Sequence, residues 1–104
     1  MGSRPPEGTK IRRQETGFEI SISGRRDGTL VAVYLRVSNK PVTATREIRE
    51  DVLLADHDRN GRLVGIEILA PVSLARIQRL VTPSKRRPLR RFLRKSAPAT
   101  LVYA

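Results

Sequence analysis

Apolar and polar side chains alternate with a period of two through the middle of this chain, and that period predicts strands. Phe18, Ile20 and Ile22 alternate with polar residues, as in a strand with one buried face. Residues 29–38 are rich in β-branched side chains and almost continuously apolar, which predicts a central strand. Residues 42–49 are mostly polar and predict a strand near an edge of the sheet.

The segment from Asp56 to Glu67 fits two incompatible structures. In the first, an EF-hand calcium loop, the ligands would be Asp56, Asp58, Asn60 and Glu67, and a glycine would follow Asn60 at the sharp turn. An EF-hand also needs a helix on each side of the loop. Pro71 follows Glu67 by four residues and would break the exiting helix.

In the second structure, Asn60-Gly61 is the turn of a β-hairpin between the apolar runs 52–57 and 63–69. A two-residue turn, with positive φ at both residues, pairs His57 with Val64 and Asp56 with Gly65. One face of the hairpin then carries core residues, namely Leu53, Ala55, Ile66 and Ile68. We interpret the segment as a hairpin and keep a calcium-binding or other divalent-ion module as the alternative function.

Beyond Pro71 the apolar spacing becomes helical. Residues 72–81 predict a short helix with Ser73 as its N-cap, which Thr82-Pro83-Ser84 then breaks. Further on, apolar residues at 89, 92 and 93 lie at helical spacing among arginines and predict a second, strongly basic helix. The predicted fold class is therefore α+β, an antiparallel β-meander of about five strands followed by one or two short helices.

The predicted organisation has three parts: a flexible N-terminal arm at 1–16, a small domain at 17–82 that combines the meander with a helix, and a basic C-terminal extension at 83–104. A single short helix covers little of a five-stranded sheet, so we expect a homodimer to cover the rest.

The net charge of +11 is concentrated in the last third of the chain. Residues 1–67 carry twelve Lys/Arg and ten Asp/Glu, a net of +2, whereas residues 68–104 carry nine Lys/Arg and no acid, a net of +9. Such asymmetry predicts an anionic partner, and arginine favours phosphate. The expected partner is nucleic acid, contacted mainly through its backbone, with an acidic protein or an anionic membrane surface as the alternatives. The residues predicted to carry this binding are Lys85, Arg86, Arg87, Arg90, Arg91, Arg94 and Lys95.

The composition offers little for catalysis. The chain has no cysteine and one histidine, His57, which we interpret as a residue at a strand end. No phosphate-binding loop or nucleophile motif is present, so we predict neither an enzyme nor a cofactor. No apolar run is long enough for a transmembrane segment, and a cysteine-free chain fits the cytoplasm.

The chain resembles a family of small bacterial domains of unknown function, number 2283 in its series. The resemblance rests on Tyr34-Leu35-Arg36-Val37, on Glu47 and on the run from Leu63 to Leu69, and it extends over about residues 18–71. It implies a small β-meander with a following helix and no established enzymatic activity. Some relatives resemble partners in toxin–antitoxin gene pairs, which implies an antitoxin-like role. The expected function is that of a non-enzymatic binding protein whose basic extension binds nucleic acid.

Overall fold

The computed structural model describes residues 10–15 and 17–104. The strands and helices follow one another in the order β1 (Lys10–Glu15), β2 (Phe18–Gly24), β3 (Leu30–Arg36), β4 (Ala44–Arg49), β5 (Leu53–His57), β6 (Leu63–Ile68), β7 (Val72–Ser73), α1 (Leu74–Gln78), α2 (Pro83–Ser96) and β8 (Val102–Tyr103). An antiparallel sheet followed by two helices confirms the predicted α+β class.

The main sheet has six strands in the order β1-β2-β3-β6-β5-β4, and all its neighbouring strands are antiparallel. Two three-stranded meanders are thus joined where β3 pairs with β6. In a simple meander β4 would lie beside β3. Here the two most apolar strands take the centre, and the polar β4 lies at the edge as predicted, where its exposed side chains meet water.

One face of this sheet forms the core. Fully buried aliphatic residues from the four inner strands point to it, and the core residues predicted for the hairpin are among them. They include Ile20 on β2, Val33 and Leu35 on β3, Leu53 and Ala55 on β5, and Ile66 and Ile68 on β6.

Helix α2 covers this apolar face. Leu89, Phe92 and Leu93 are at most 2% exposed, and the Phe92 ring lies 5.7 Å from the Phe18 ring, centroid to centroid. The helix begins at Pro83, whose fixed φ and missing N–H suit a first helical position. Residues 83–104, predicted to be an extension, therefore supply part of the core of the same domain.

The shorter elements tie the chain end to the sheet. Helix α1 has Ser73 as its N-cap, as predicted, because the Ser73 hydroxyl accepts a hydrogen bond from the Arg76 N–H. The preceding β7 pairs in parallel with β8, with Val72 opposite Val102. Leu101 and Val102 are buried, so the C-terminal segment also packs against the core.

The N-terminal arm predicted at 1–16 differs from what the structure describes. Residues 1–9 and 16 lie outside the described residues. Residues 10–15 form β1, which pairs along its length with β2. Backbone pairing at a sheet edge requires no apolar periodicity, so the sequence pattern did not predict this strand.

The hairpin is confirmed between β5 and β6, but its turn is longer than predicted. The Asp58 carbonyl accepts the Gly61 N–H at 3.0 Å, and the Asp58 N–H donates to the Arg62 carbonyl at 2.9 Å. Of the two turn residues, Gly61 has positive φ (76°) and Asn60 does not. The loop is thus a three-residue type I turn with a glycine bulge rather than a two-residue turn.

This longer loop changes the register only near the turn. Asp56 pairs with Gly65 as predicted, whereas His57 pairs with Leu63 instead of Val64, and a bulge between Asp56 and His57 absorbs the difference. The side chain of Asp58 explains the choice of loop, because its Oδ1 accepts the N–H groups of Asn60 and Arg62.

We predict that Phe92→Ala lowers the free energy of unfolding by about 3–5 kcal/mol, because it opens a cavity between α2 and the sheet. Ending the chain after Thr82 removes the whole helix and should unfold the domain. Urea unfolding followed by circular dichroism measures both effects. Arg91→Ala on the exposed side of α2 is the control, with an expected change within about 0.5 kcal/mol. A truncated chain as stable as the full one would contradict this role of α2.

Candidate functional site

The seven cations predicted to bind nucleic acid all lie on α2, but the helix distributes them over different sides. Successive residues of an α-helix are about 100° apart, so residues at spacings of three and four share a side. Arg87, Arg91 and Arg94 follow that spacing on the side opposite the buried Leu89 and Phe92. These three arginines form an exposed row, called here the arginine row.

Two further cations extend the exposed surface beside the row. Arg90 and Lys95 are both exposed and flank it on either side. The row runs from residue 87 to residue 94, or about 10 Å along the helix axis. Because α2 carries no acidic residue, this surface presents positive charge alone along the helix.

Arg86 has a structural role instead. Its Nε donates hydrogen bonds to the carbonyls of Gln78 and Val81, each at 3.2 Å. The Gln78 amide in turn donates to the Arg86 carbonyl at 2.9 Å. These bonds satisfy carbonyls at the C-terminal end of α1 and fix the corner between the helices. Arg86 is therefore set apart from the arginine row.

Lys85 lies on another side of the helix from the arginine row. It is two residues before Arg87, which places it about 160° away around the helix axis. There it lines a cleft between α2 and the hairpin loop, together with Arg62 and Leu80. Five of the seven predicted residues thus share the exposed surface, and Lys85 and Arg86 belong elsewhere.

Phe92, the one aromatic residue of the basic segment, presents no face for base stacking. Phe92 is 2% exposed and packs against Phe18. Stacking on aromatic rings is the usual means by which proteins hold single-stranded bases. The exposed side of α2 can therefore offer charge and guanidinium hydrogen bonds but no aromatic platform.

The calcium alternative placed four oxygen ligands at Asp56, Asp58, Asn60 and Glu67. The segment is flanked by strands β5 and β6 rather than by helices. Asp58 is 7% exposed, and its carboxylate holds the turn. Among the described residues, no group of three or more His, Cys, Asp or Glu is arranged to hold a metal ion. The EF-hand geometry is therefore not formed.

Backbone hydrogen bonds set the protonation of Asp58. The Arg62 N–H, and to a lesser extent the Asn60 N–H, hold the pKa of Asp58 below its ordinary value of 3.8, against the opposing effect of burial. The carboxylate form thus stabilises the loop at neutral pH.

Asp56 takes part in a hydrogen-bonded chain across the sheet face opposite α2. The Tyr34 hydroxyl donates to its Oδ2 at 2.8 Å, and the Thr45 hydroxyl donates to its Oδ1 at 2.6 Å. Burial raises the pKa of Tyr34 to about 12, and the hydrogen bond to Asp56 acts in the same direction. The phenol is therefore a fixed donor at neutral pH.

Gly65 makes this chain of hydrogen bonds possible. Tyr34 lies on β3 and Asp56 on β5, so the phenol must cross β6, which lies between them. A Cβ atom at Gly65 would overlap the Tyr34 hydroxyl and ring. The available sequence signal was a glycine inside an aliphatic strand, which marks the close approach of another group. No feature of the sequence indicated that the Thr45 hydroxyl would donate to Asp56.

The same face has a shallow polar pocket of about 250 Å³, lined by Glu19, Ser21, Tyr34 and Arg36. The Arg36 guanidinium lies 5.8 Å from the centroid of the Tyr34 ring, within cation–π range. His57 is the last residue of β5, and its backbone carbonyl accepts a hydrogen bond from the Thr43 N–H. Its predicted position at a strand end is confirmed.

The comparisons with known proteins agree with the resemblance seen in the sequence. Residues 32–70 match the model of a family described as "Protein of unknown function (DUF2283)". The matched segment runs from within β3 past the end of β6, so it includes Tyr34, Asp56 and Gly65 and ends before α1 and α2. No curated protein and no solved structure matches the chain. Within the described residues, no helix is both long and apolar enough to span a membrane.

We expect Gly65→Ala to cost about 1–3 kcal/mol of folding free energy, because the added methyl group displaces the Tyr34 ring. In a Tyr34→Ala background the same change should cost less, with a coupling energy of about 1 kcal/mol or more. Chemical denaturation of the four proteins of this cycle measures the coupling. Equal costs in both backgrounds would show that Tyr34 does not require the glycine.

Asp58→Ala should lower Tm at pH 7, because two backbone N–H groups lose their acceptor. The lowered folded-state pKa means that the carboxylate stabilises the fold above the ordinary pKa of 3.8 and that this stability is lost as the pH falls through the folded-state pKa. The difference in Tm from the unaltered protein should therefore shrink in acid.

Thermal unfolding between pH 3 and pH 7 tests this dependence. Asp58→Asn is the control, because it keeps one oxygen acceptor without a titrating group, and its difference from Asp58→Ala should persist in acid. A Tm loss in Asp58→Ala that is equal at every pH would contradict the role of the carboxylate.

Proposed function

We propose that this protein is a non-enzymatic, cytoplasmic nucleic-acid-binding protein that contacts the phosphate backbone through the exposed side of α2. The supporting observation is the arginine row, Arg87, Arg91 and Arg94, on a helix held to the sheet by its opposite side. Arg90 and Lys95 add charge beside it. Neutralising phosphates with these side chains releases counterions, which is the dominant source of affinity for basic proteins at low salt.

The anchoring of α2 favours this function over that of a disordered basic tail. A tail must be ordered when it binds, which costs conformational entropy for each residue that is fixed. The backbone of α2 is already ordered by Leu89, Phe92 and Leu93, so only the arginine side chains lose freedom. A planar guanidinium also matches phosphate with two parallel hydrogen bonds.

The same features favour binding that depends little on base sequence. The exposed side of α2 has guanidinium and ammonium groups and no aromatic ring of its own, because Phe92 is buried, and the half-exposed Tyr103 lies beside Arg94 only at the C-terminal end of the row. Contacts to phosphate position a protein without reading the bases. We therefore expect similar affinities for duplexes of different sequence.

The homodimer expected from the sequence stays a prediction with a weaker basis. We expected a dimer because a second protomer would cover an apolar sheet face, but α2 of the same chain already covers that face. The opposite face carries polar groups such as Asp56 and Thr45. One protomer therefore suffices for the proposed binding, and sedimentation equilibrium gives the oligomeric state directly.

An antitoxin-like role would add a protein partner to this proposal. An acidic partner would meet the same arginine row, so both partners would respond to the same substitutions. Only nucleic-acid binding predicts an affinity for a defined duplex that falls steeply with salt concentration. The following experiment measures that dependence.

The test compares the full chain with a triple variant, Arg87→Gln, Arg91→Gln and Arg94→Gln, in binding labelled duplex DNA and single-stranded RNA. For about four phosphate contacts, the logarithm of the association constant should fall against the logarithm of salt concentration with a slope of about −3 to −4. The triple variant should bind roughly tenfold or more weakly at low salt, with a slope smaller by about 2–3. Fluorescence anisotropy at several salt concentrations gives both quantities.

A matched control removes three exposed arginines outside α2, through Arg25→Gln, Arg46→Gln and Arg49→Gln. It lowers the net charge by the same amount and should keep most of the affinity. Full-length variants are needed, because a chain ending before α2 would lose part of its core. If both triple variants lose the same affinity, the binding depends on net charge alone and not on the arginine row, which contradicts the proposal. No binding by the unaltered chain at low salt would also overturn it.

A further inference from the structure

A second surface of the domain combines a cavity with positive charge. The cleft that Lys85 lines has a volume of about 380 Å³ and lies between the hairpin loop and the corner where α1 meets α2. Small-molecule sites in proteins typically measure about 300–1,000 Å³, so the cleft has the size of a site for a small ligand.

The floor of this cleft is aliphatic. Val37 and Val81 are buried, and Leu63 and Leu80 are only partly buried although both pack against the core. Partly covered leucines at the bottom of a concave surface gain free energy when an apolar group excludes water from them. The floor therefore suits the hydrocarbon body of a ligand.

The rim of the cleft is cationic. Arg62 approaches from the hairpin loop and Lys85 from α2, and both side chains are exposed. Thr82, the N-cap residue of α2, also lines the cleft, so the positive end of the helix dipole lies at the same rim. None of the side chains that line the cleft, all within the described part of the chain, is acidic.

The acidic residue of the hairpin loop that interacts with Arg62 has other partners. Asp58 interacts electrostatically with Arg62, but its carboxylate points to the backbone N–H groups of the loop. It therefore fixes the loop that carries Arg62 and leaves Lys85 uncompensated by it.

We infer that this cleft binds a small amphipathic organic anion, with a carboxylate or phosphate group between Arg62 and Lys85 and an apolar body against Leu63 and Leu80. An amphipathic anion complements both parts of the cleft. A simple inorganic anion would leave the leucines of the floor exposed to water, and a neutral apolar molecule would make no charge contact with the cations of the rim. The site is separate from the arginine row, which lies on another side of α2, so it is independent of the proposed nucleic-acid binding.

Two-dimensional NMR of the full-length protein tests the inference with octanoate as the probe. Chemical shifts should change at residues that line the cleft and saturate with concentration. Inorganic phosphate and 1-octanol, which each keep half of the chemistry, should bind at least roughly fivefold more weakly. Equal binding by either one, or octanoate shifts spread over the arginine row, would overturn the inference.

Variants test the cationic rim of the site. Arg62→Gln and Lys85→Gln should each weaken octanoate binding roughly fivefold, whereas Arg46→Gln on the exposed β4 is the matched control and should bind as the unaltered protein does. The triple variant of the arginine row should also bind octanoate normally, even if it no longer binds nucleic acid. No difference between Arg62→Gln and Arg46→Gln would contradict the proposed rim.

A final comparison distinguishes a free ligand from a lipid surface. Sedimentation with anionic phosphatidylglycerol vesicles at physiological salt uses the triple variant of the arginine row, because the row itself would attract an anionic surface. This variant should stay in the supernatant, because the leucines lie inside a cleft rather than on a protruding surface. Sedimentation with the vesicles that is lost in Arg62→Gln and Lys85→Gln would replace the free anion by a lipid headgroup and overturn the inference as stated.

Discussion

The apolar contact between α2 and the sheet is the interaction on which the rest of the structure depends. A six-stranded sheet of aliphatic residues would expose one apolar face to water if nothing covered it. Leu89, Phe92 and Leu93 cover that face, and the contact between Phe92 and Phe18 joins the helix to β2. The same contact forces the charged residues of α2 outward, because an α-helix cannot bury one side without presenting the other.

The position of α2 also decides how its charges are used. Seven cations within eleven residues repel one another, which opposes folding unless their charges are spread or satisfied. The helix spreads them around its axis, with the arginine row exposed, Arg86 bound to carbonyls of the helical corner and Lys85 at the cleft. One basic segment thus contributes to an exposed surface, to a structural corner and to a concave site.

The opposite face of the sheet is organised by polar contacts rather than by apolar packing. Tyr34 reaches across Gly65 to Asp56, and Thr45 binds the same carboxylate from β4. These side chains link both halves of the sheet, because Tyr34 belongs to the first meander and the others to the second. The segment that matches the DUF2283 family contains this whole arrangement, whereas the basic helix lies outside it.

The sequence by itself determined the strands from Phe18 to Ile68, the core face of the hairpin and the cap at Ser73. Each of these depends on periodicity or on local hydrogen bonding, which neighbouring residues encode. It also located the positive charge in the last third of the chain. Tertiary structure decided the features that depend on residues far apart in the chain.

Three features of the molecule depend on tertiary structure in this way. The sheet order, with β3 beside β6, follows from which strands bury most surface together, and local pattern does not encode that pairing. The Asp58 side chain selected a three-residue loop over the turn that Asn60-Gly61 predicted. The basic segment forms part of the core because its apolar residues, Leu89, Phe92 and Leu93, pack against the apolar face of the sheet. A residue's charge is evident from the sequence, but the surface to which it belongs depends on what the opposite side of its helix can bury.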